Sequence, residues 1–263
     1  MFRDANAYER FMGRWSRIAA PQFVDFADPP LQGRILDVGS GTGSLAFAIA
    51  ERDKHVRVVG IEPSDEYVAY AGSRAIFPDR VSFEKGDAQQ LRFPDASFDA
   101  ALSLFAFNFI PDPKKGLSEL HRVTRPKGKV SAAVWDYGDG MEMLRTFWDA
   151  AKHVDPEAEK LDEKHMPLCR AGELTKLWAQ ARFEDVREQP LDFAMGFESL
   201  ADYWEPFLLG QGPAGAYVHR LDGVKSEALR NALRTCLSLP TENAPFVLRA
   251  RMWCVRGTVP EPQ

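Results

Sequence analysis

Through the first half of the chain, short apolar runs alternate with stretches of helical period. "GRILDVG" (33–39), "VRVVGIEP" (56–63), a run near 81–84, "FDAALSLFAF" (98–107) and "GKVSAAVWDY" (128–137) read as buried strands. Residues 44–53, 64–75 and 113–124 read as helices between them. Ahead of the first strand, residues 6–27 predict a helix with Tyr8, Phe11, Met12, Trp15, Ile18 and Ala19 at helical spacing. Strands that alternate with helices in this way build a parallel sheet covered on both faces, here a doubly wound α/β core. After about residue 140 the alternation breaks. Met143, Leu144, Phe147, Trp148 and Ala151 recur at helical spacing, and a charged, Pro-containing stretch follows as far as Cys169. Residues 171–181 then read as a helix, "FEDVREQPLDFAM" as a strand, 197–209 and 224–238 as helices separated by a flexible "GQGPAG", and 244–257 as a last strand.

The stretch "ILDVGSGTGSLAFAIAE" (35–51) carries the chemistry, because an apolar strand, a glycine turn and a helix open a βαβ unit. A dinucleotide loop reads G-x-G-x-x-G and presents a helix N-terminus to a pyrophosphate. Here Gly39, Gly41 and Gly43 give G-x-G-x-G, and Asp37 precedes them at the end of the strand. A carboxylate there repels a pyrophosphate and can attract an ammonium group, directly or through a water. Asp37, Glu62 and Asp87 follow the first three strands at intervals of 25 residues. Glu62 can accept from both hydroxyls of a ribose, and Asp87 from an adenine amino group while the Ala88 N–H faces the ring. Nicotinamide enzymes also use an acid in Glu62's place, so that residue alone does not choose between S-adenosylmethionine and a dinucleotide.

Composition narrows the partners. At 263 residues and 45% hydrophobic content the chain can bury a large core. A net charge of −5 argues against a broad nucleic-acid footprint. Cys169, Cys236 and Cys254 are odd in number and far apart, so neither a disulfide framework nor a metal site is expected, and no histidine spacing adds one. The "MFRDANAYERF" start has no apolar signal core and no run approaches a membrane span, which sets the expectation of a cytoplasmic protein.

From Gly33 to Tyr137 the chain resembles the class I S-adenosylmethionine-dependent methyltransferases. "LDVGSGTG", "VVGIEPS", "GDAQQLRFPDASFD" and "ELHRVTRPKGKV" are similar to successive motifs of that family, and "YERFMGRWSR" is similar to N-terminal sequences of its small-molecule branch, which includes the ubiquinone and menaquinone C-methyltransferases. The resemblance implies a seven-stranded sheet of order 3-2-1-4-5-7-6 with strand seven antiparallel. It implies one domain over 1–263, a cofactor core at 28–140, and cap or chamber elements at 1–27, 141–170 and 197–240. It also implies S-adenosylmethionine as cofactor and S-adenosylhomocysteine as product. Asp37 and the loop Gly39, Ser40, Gly41 and Gly43, with the backbone near Ser103, would take the methionine portion. Glu62 and Pro63 would take the ribose, and Asp87 with Ala88 the adenine. Two departures stand out: Asn108 where the family often writes histidine, and Lys127 in place of a glycine before strand five.

The expected acceptor is a small lipophilic or aromatic molecule, in a chamber drawing on Phe105, Phe107, Asn108, Trp135, Tyr137, Trp148 and Trp204. Tyr8, His153 and His165 are the candidates for a general base, and Arg14 and Arg17 for contact with a carboxylate. A monomer or homodimer is expected. A non-catalytic cofactor-binding module and a nicotinamide-dependent oxidoreductase stay open as alternatives.

Overall fold

The structure is a computed structural model and describes residues 4–74 and 76–261. A helical run opens the chain as α1 (Ala5–Tyr8), a π-helical turn (Glu9–Gly13) and α2 (Arg14–Ala27). The elements then follow as β1 (Gly33–Val38), α3 (Ser44–Arg52), β2 (Val56–Glu62), α4 (Asp65–Ser73), β3 (Val81–Lys85), β4 (Phe98–Leu104), α5 (Pro113–Val123), β5 (Thr124–Trp135), α6 (Glu142–Val154), α7 (Glu173–Gln180), β6 (Glu184–Phe197), α8 (Leu200–Trp204), α9 (Gly212–Val218), α10 (Gly223–Cys236) and β7 (Phe246–Thr258). Residue 75, the last of the helix read over 64–75, lies outside the described residues.

The seven strands form one sheet in the order β3-β2-β1-β4-β5-β7-β6. The pairs β1–β2, β2–β3, β1–β4 and β4–β5 are parallel. β7 runs antiparallel to β5, as the exchange between Lys127 N–H and Val259 O and between Val259 N–H and Gly128 O shows. The expected sheet order and strand direction are those observed.

Contacts divide the chain into two compact units. One holds Gly13–Val134, Pro167–Leu191 and the described part of Met252–Gln263. Its sheet core of Ile35, Leu36, Phe98, Ala100, Leu102 and Val130 is fully buried. Helix starts are set locally: Ser64 accepts from the Tyr67 N–H, and Asp112 accepts from the N–H groups of Lys114 and Lys115 ahead of Pro113. The other unit holds the described part of Met1–Met12, with Trp135–Met166 and Asp192–Arg251. Its core is aromatic: Phe147 stacks on Phe207 at 4.4 Å, edge-on contacts link Phe147 to Trp148 and Phe11 to Phe207, and Tyr203 Oη donates to the Met143 carbonyl at 2.7 Å.

Four expectations need correction. The apolar run after β4 does not continue the strand to residue 107, because Phe105 takes a left-handed φ of 59° and a 3-10 turn, Phe107–Phe109, follows. "GQGPAG" is not a flexible separator: α9 begins at Gly212, and Pro213 fits its first turn, where no backbone donor is needed. The first helix is not regular over 6–27, since the π-helical turn interrupts it. β5 starts at Thr124 rather than 128, with a bulge against β4. Within that bulge Lys127 has φ 64°, so the chain keeps a left-handed turn without the glycine that such a turn favours. Gly128 next to it is required, since a Cβ there would lie 2.7 Å from the Asp99 carbonyl oxygen.

Candidate functional site

The site is built at the carboxyl ends of β1, β2 and β3. The N–H groups of Gly39 and Ser40 both donate to the Ile61 carbonyl, at 2.9 and 3.0 Å, which pins the start of the glycine loop to β2. Gly39, Gly41 and Gly43 all have positive φ. Their surroundings differ. A Cβ on Gly39 would lie 2.3 Å from the Ala106 Cβ, and one on Gly43 would lie 2.7 Å from Phe47 and 2.9 Å from Phe83. A Cβ on Gly41 would meet nothing within 4 Å. Two glycines are thus demanded by the protein's own packing, and the third leaves open space. The amides at the start of α3 have no side-chain cap.

Asp37, 1% exposed, lies in the sheet between Gly60 of β2 and Leu102 of β4. Among the described residues neither carboxylate oxygen has a hydrogen-bond partner. Burial pushes its pKa up to about 8; the Ala46 amide opposes the shift, and the neighbouring Glu62 adds to it. Glu62 is also buried, but it is held: Oε2 accepts from the Gly41 N–H at 3.1 Å and Oε1 from the Ser64 N–H at 3.1 Å. Its pKa is raised by burial against the pull of those two amides. Each oxygen keeps lone pairs for a further donor.

Asp87 is exposed, and its pKa is lowered chiefly by the Gln89 N–H, which donates to Oδ1 at 2.8 Å. Ala88 beside it is half-buried. A cleft of about 330 Å³ runs here, lined by Pro63, Lys85, Gly86, Asp87, Gln90 and Arg92, and so joins the end of β2 to the turn after β3. Ser40, Ser103 and Asn108 are buried, and among the described residues the hydroxyl oxygens of the two serines and the Nδ2 of Asn108 have no partner. The close approach of Gly39 to Ala106 sets the turn that carries Phe105, Phe107 and Asn108 against the glycine loop.

The expected chamber residues divide between the two units. Phe105, Phe107 and Asn108 belong to the unit that holds the glycine loop, whereas Trp135, Tyr137, Trp148 and Trp204 belong to the other. Phe107 is fully buried and packs on Trp178 at 5.3 Å. Trp148 is fully buried too, and its indole N–H donates to the buried Glu163 at 3.0 Å, which makes it a packing residue. Trp135 packs on Phe193. His153 and His165 are exposed and Tyr8 is half-buried, all three in the aromatic unit. Arg14 stacks over Trp15 at 4.2 Å, and Arg17 is exposed. Among the described residues no group of three or more His, Cys, Asp or Glu is placed to hold a metal. Among the described residues no helix is long and apolar enough to cross a membrane.

Periodicity missed two contributors. Arg74, at the end of α4, donates to the Thr42 carbonyl at 3.2 Å and lies over the Phe47 ring at 4.9 Å, which braces the glycine loop. Gln89 holds Asp87. The turn sequence after β3 is the signal that could have pointed to Gln89.

With this geometry in hand, the likenesses to known proteins can be placed on it. Residues 36–132, from β1 into β5, match the model of a methyltransferase domain. The chain is 38% identical over 117 residues to a demethylmenaquinone methyltransferase of Deinococcus radiodurans, covering 44% of this chain and 47% of that protein. It is 39% identical over 177 residues to the 27-O-demethylrifamycin SV methyltransferase of Amycolatopsis mediterranei, covering 60% of this chain and 65% of that one. The matches therefore span less than two thirds of these relatives' own length. In fold the chain is similar to phosphoethanolamine N-methyltransferase 2 of Haemonchus contortus, solved with phosphomonomethylethanolamine and S-adenosylhomocysteine, with a TM-score of 0.60 at 18% identity over 98% of this chain and 57% of that one. Over residues 36–132, and in its sheet order, the chain is similar to the class I S-adenosylmethionine-dependent methyltransferases.

Proposed function

We propose that the protein binds S-adenosylmethionine at the glycine loop and methylates a small lipophilic acceptor. The observation that carries this reading is Asp37, a buried carboxylate with no partner, beside a loop whose Gly41 opens onto free space. A buried carboxylate left unpaired is costly, and an ammonium group would relieve the cost. A pyrophosphate would add negative charge to that position, which argues against a dinucleotide.

In this reading Asp37 and the backbone at Gly39 hold the amino-acid end of the cofactor. Glu62, already aligned by the Gly41 and Ser64 amides, accepts from the ribose hydroxyls. Asp87 accepts from the adenine amino group, and the Ala88 N–H donates to the ring. When bound, the cofactor supplies a methyl group on an electrophilic sulfonium. The protein's own task is then alignment and exclusion of water, and orientation alone can account for ~7–11 kcal/mol of a barrier. The buried Asn108 Nδ2 is the donor that an oxygen of the acceptor would satisfy.

A lipophilic acceptor is supported by the names of two relatives, one for demethylmenaquinone and one for 27-O-demethylrifamycin SV. Calorimetric titration with S-adenosylmethionine, S-adenosylhomocysteine and NAD tests the cofactor. Binding of the first two without the third is expected, and binding of NAD alone overturns the reading. Methyl transfer from labelled cofactor to a panel of quinol-like and polyketide-like acceptors then tests the acceptor class.

A further inference from the structure

The proposed adenine acid, Asp87, is an exposed side chain on a turn, and such a carboxylate is free to rotate unless something holds it. Gln89 holds it at three points. Its backbone N–H donates to Asp87 Oδ1 at 2.8 Å, and its side-chain Nε2 lies 3.2 Å from Oδ1 and 3.4 Å from Oδ2. The other end of the amide is also committed, since Oε1 accepts from the Asp112 N–H at 3.0 Å. The two partners fix which way the amide faces, because a carboxylate can only accept and a backbone N–H can only donate. Asp112 in turn caps α5 through the amides of Lys114 and Lys115. Two residues further along the turn, the Leu91 N–H donates to Glu119 of the same helix at 2.8 Å.

We propose that Gln89 is a positioning residue: it locks the Asp87 carboxylate to the start of α5, so that Oδ2, its less engaged oxygen, is aimed for the exocyclic amino group of adenine. This rests on the reading of the site given above. Glutamine is the side chain that the arrangement needs. A glutamate at 89 could accept from Asp112 but would repel Asp87, and a methionine of similar length could do neither. Asp87 also lines the cleft that runs to Pro63.

The test compares two ligands on the full chain by calorimetry: S-adenosylhomocysteine, and its analogue with purine in place of adenine, which lacks the exocyclic amino group. The wild type is expected to prefer the adenine ligand. Gln89→Met and Gln89→Glu are each expected to lose roughly three- to tenfold in affinity for that ligand, while the purine analogue stays within about twofold, as befits one hydrogen bond lost to misorientation. Equal losses on both ligands, or none, would show Gln89 to be scaffold only and overturn the proposal. If the wild type binds S-adenosylhomocysteine and the variants keep its full preference for adenine, the role of Gln89 alone falls. If the wild type binds neither ligand, the reading of the site falls with it.

Discussion

Gly41 donates its backbone N–H to Glu62 Oε2 at 3.1 Å, so the glycine loop and the end of β2 are one hydrogen-bonded piece without any ligand. The Ser64 amide on the other oxygen completes the clamp. Glu62→Gln retains the size of the side chain but turns one acceptor into a donor, which would then face a backbone N–H. S-adenosylmethionine affinity is expected to fall roughly tenfold to a hundredfold, the worth of a charge-assisted hydrogen bond of ~1.5–3 kcal/mol. Isothermal titration measures it, and unchanged affinity with an intact circular dichroism spectrum would remove Glu62 from the ribose.

Asp37 sets function against stability. Its folded pKa, about 8, lies above its ordinary value, so the native state keeps a proton that the unfolded chain gives up as pH rises. Stability from this group is therefore full below about pH 4 and is lost progressively up to about pH 8, by a few kcal/mol in order of magnitude. Asp37→Asn is expected to melt higher than the wild type at pH 8 without ligand, with the gap closing toward pH 4, and yet to bind S-adenosylmethionine more weakly. Thermal melts across pH with and without ligand read both effects. A variant that melts lower at every pH would mean that the carboxylate is satisfied within the protein.

Two of the loop glycines, Gly39 and Gly41, are expected to separate by phenotype. Gly39→Ala sets a methyl against Ala106 and should destabilise the fold by ~1–3 kcal/mol beyond its backbone strain. Gly41→Ala has the backbone strain alone, ~1–2 kcal/mol, because nothing of the protein lies where its methyl would go. Its affinity for the cofactor should nevertheless drop roughly tenfold as the methyl occupies ligand space. Urea denaturation and titration, run on both variants, distinguish the pattern. Equal destabilisation with retained binding by Gly41→Ala would place the ligand elsewhere.

Much of this was legible in advance for a local reason. β1, β2, β3 and α3 to α5 are short, with strong apolar periods and turn residues at their ends, so each declares itself within about ten residues. The acids Asp37, Glu62 and Asp87 follow from strand ends in the same way. What escaped depends on contacts distant in sequence or on single torsions. The apolar pattern runs unbroken from Leu104 to Phe107, and only the left-handed Phe105 ends the strand. Trp148 reads as readily as a chamber wall as a core residue, and its bond to Glu163, fifteen positions on, decides for the core. The part played by Gln89 depends on Asp112, which lies 23 positions away.

Glu163 gives a second pH signature, independent of the cofactor. It is buried in the aromatic unit, where it accepts from the Trp148 indole beside the ion pair of Arg145 with Asp162. Burial pushes its pKa up to about 7, against the lowering effects of the Trp148 hydrogen bond and the Arg145 charge, with Asp162 adding to the rise. Its folded pKa exceeds the ordinary value of 4.5, so it contributes full stability below about pH 4.5 and loses it up to about pH 7. Glu163→Gln keeps an oxygen for the indole and never ionises. It is expected to match the wild type near pH 4 and to exceed it by a few kcal/mol, as an order of magnitude, at pH 8. Trp148→Phe removes the donor, leaves a buried acceptor oxygen unsatisfied, and should destabilise by ~1–3 kcal/mol. Urea denaturation of both variants at pH 5 and 8 separates the two effects. A Gln variant less stable than the wild type at pH 8 would mean that the Arg145 charge, rather than burial, governs this carboxylate.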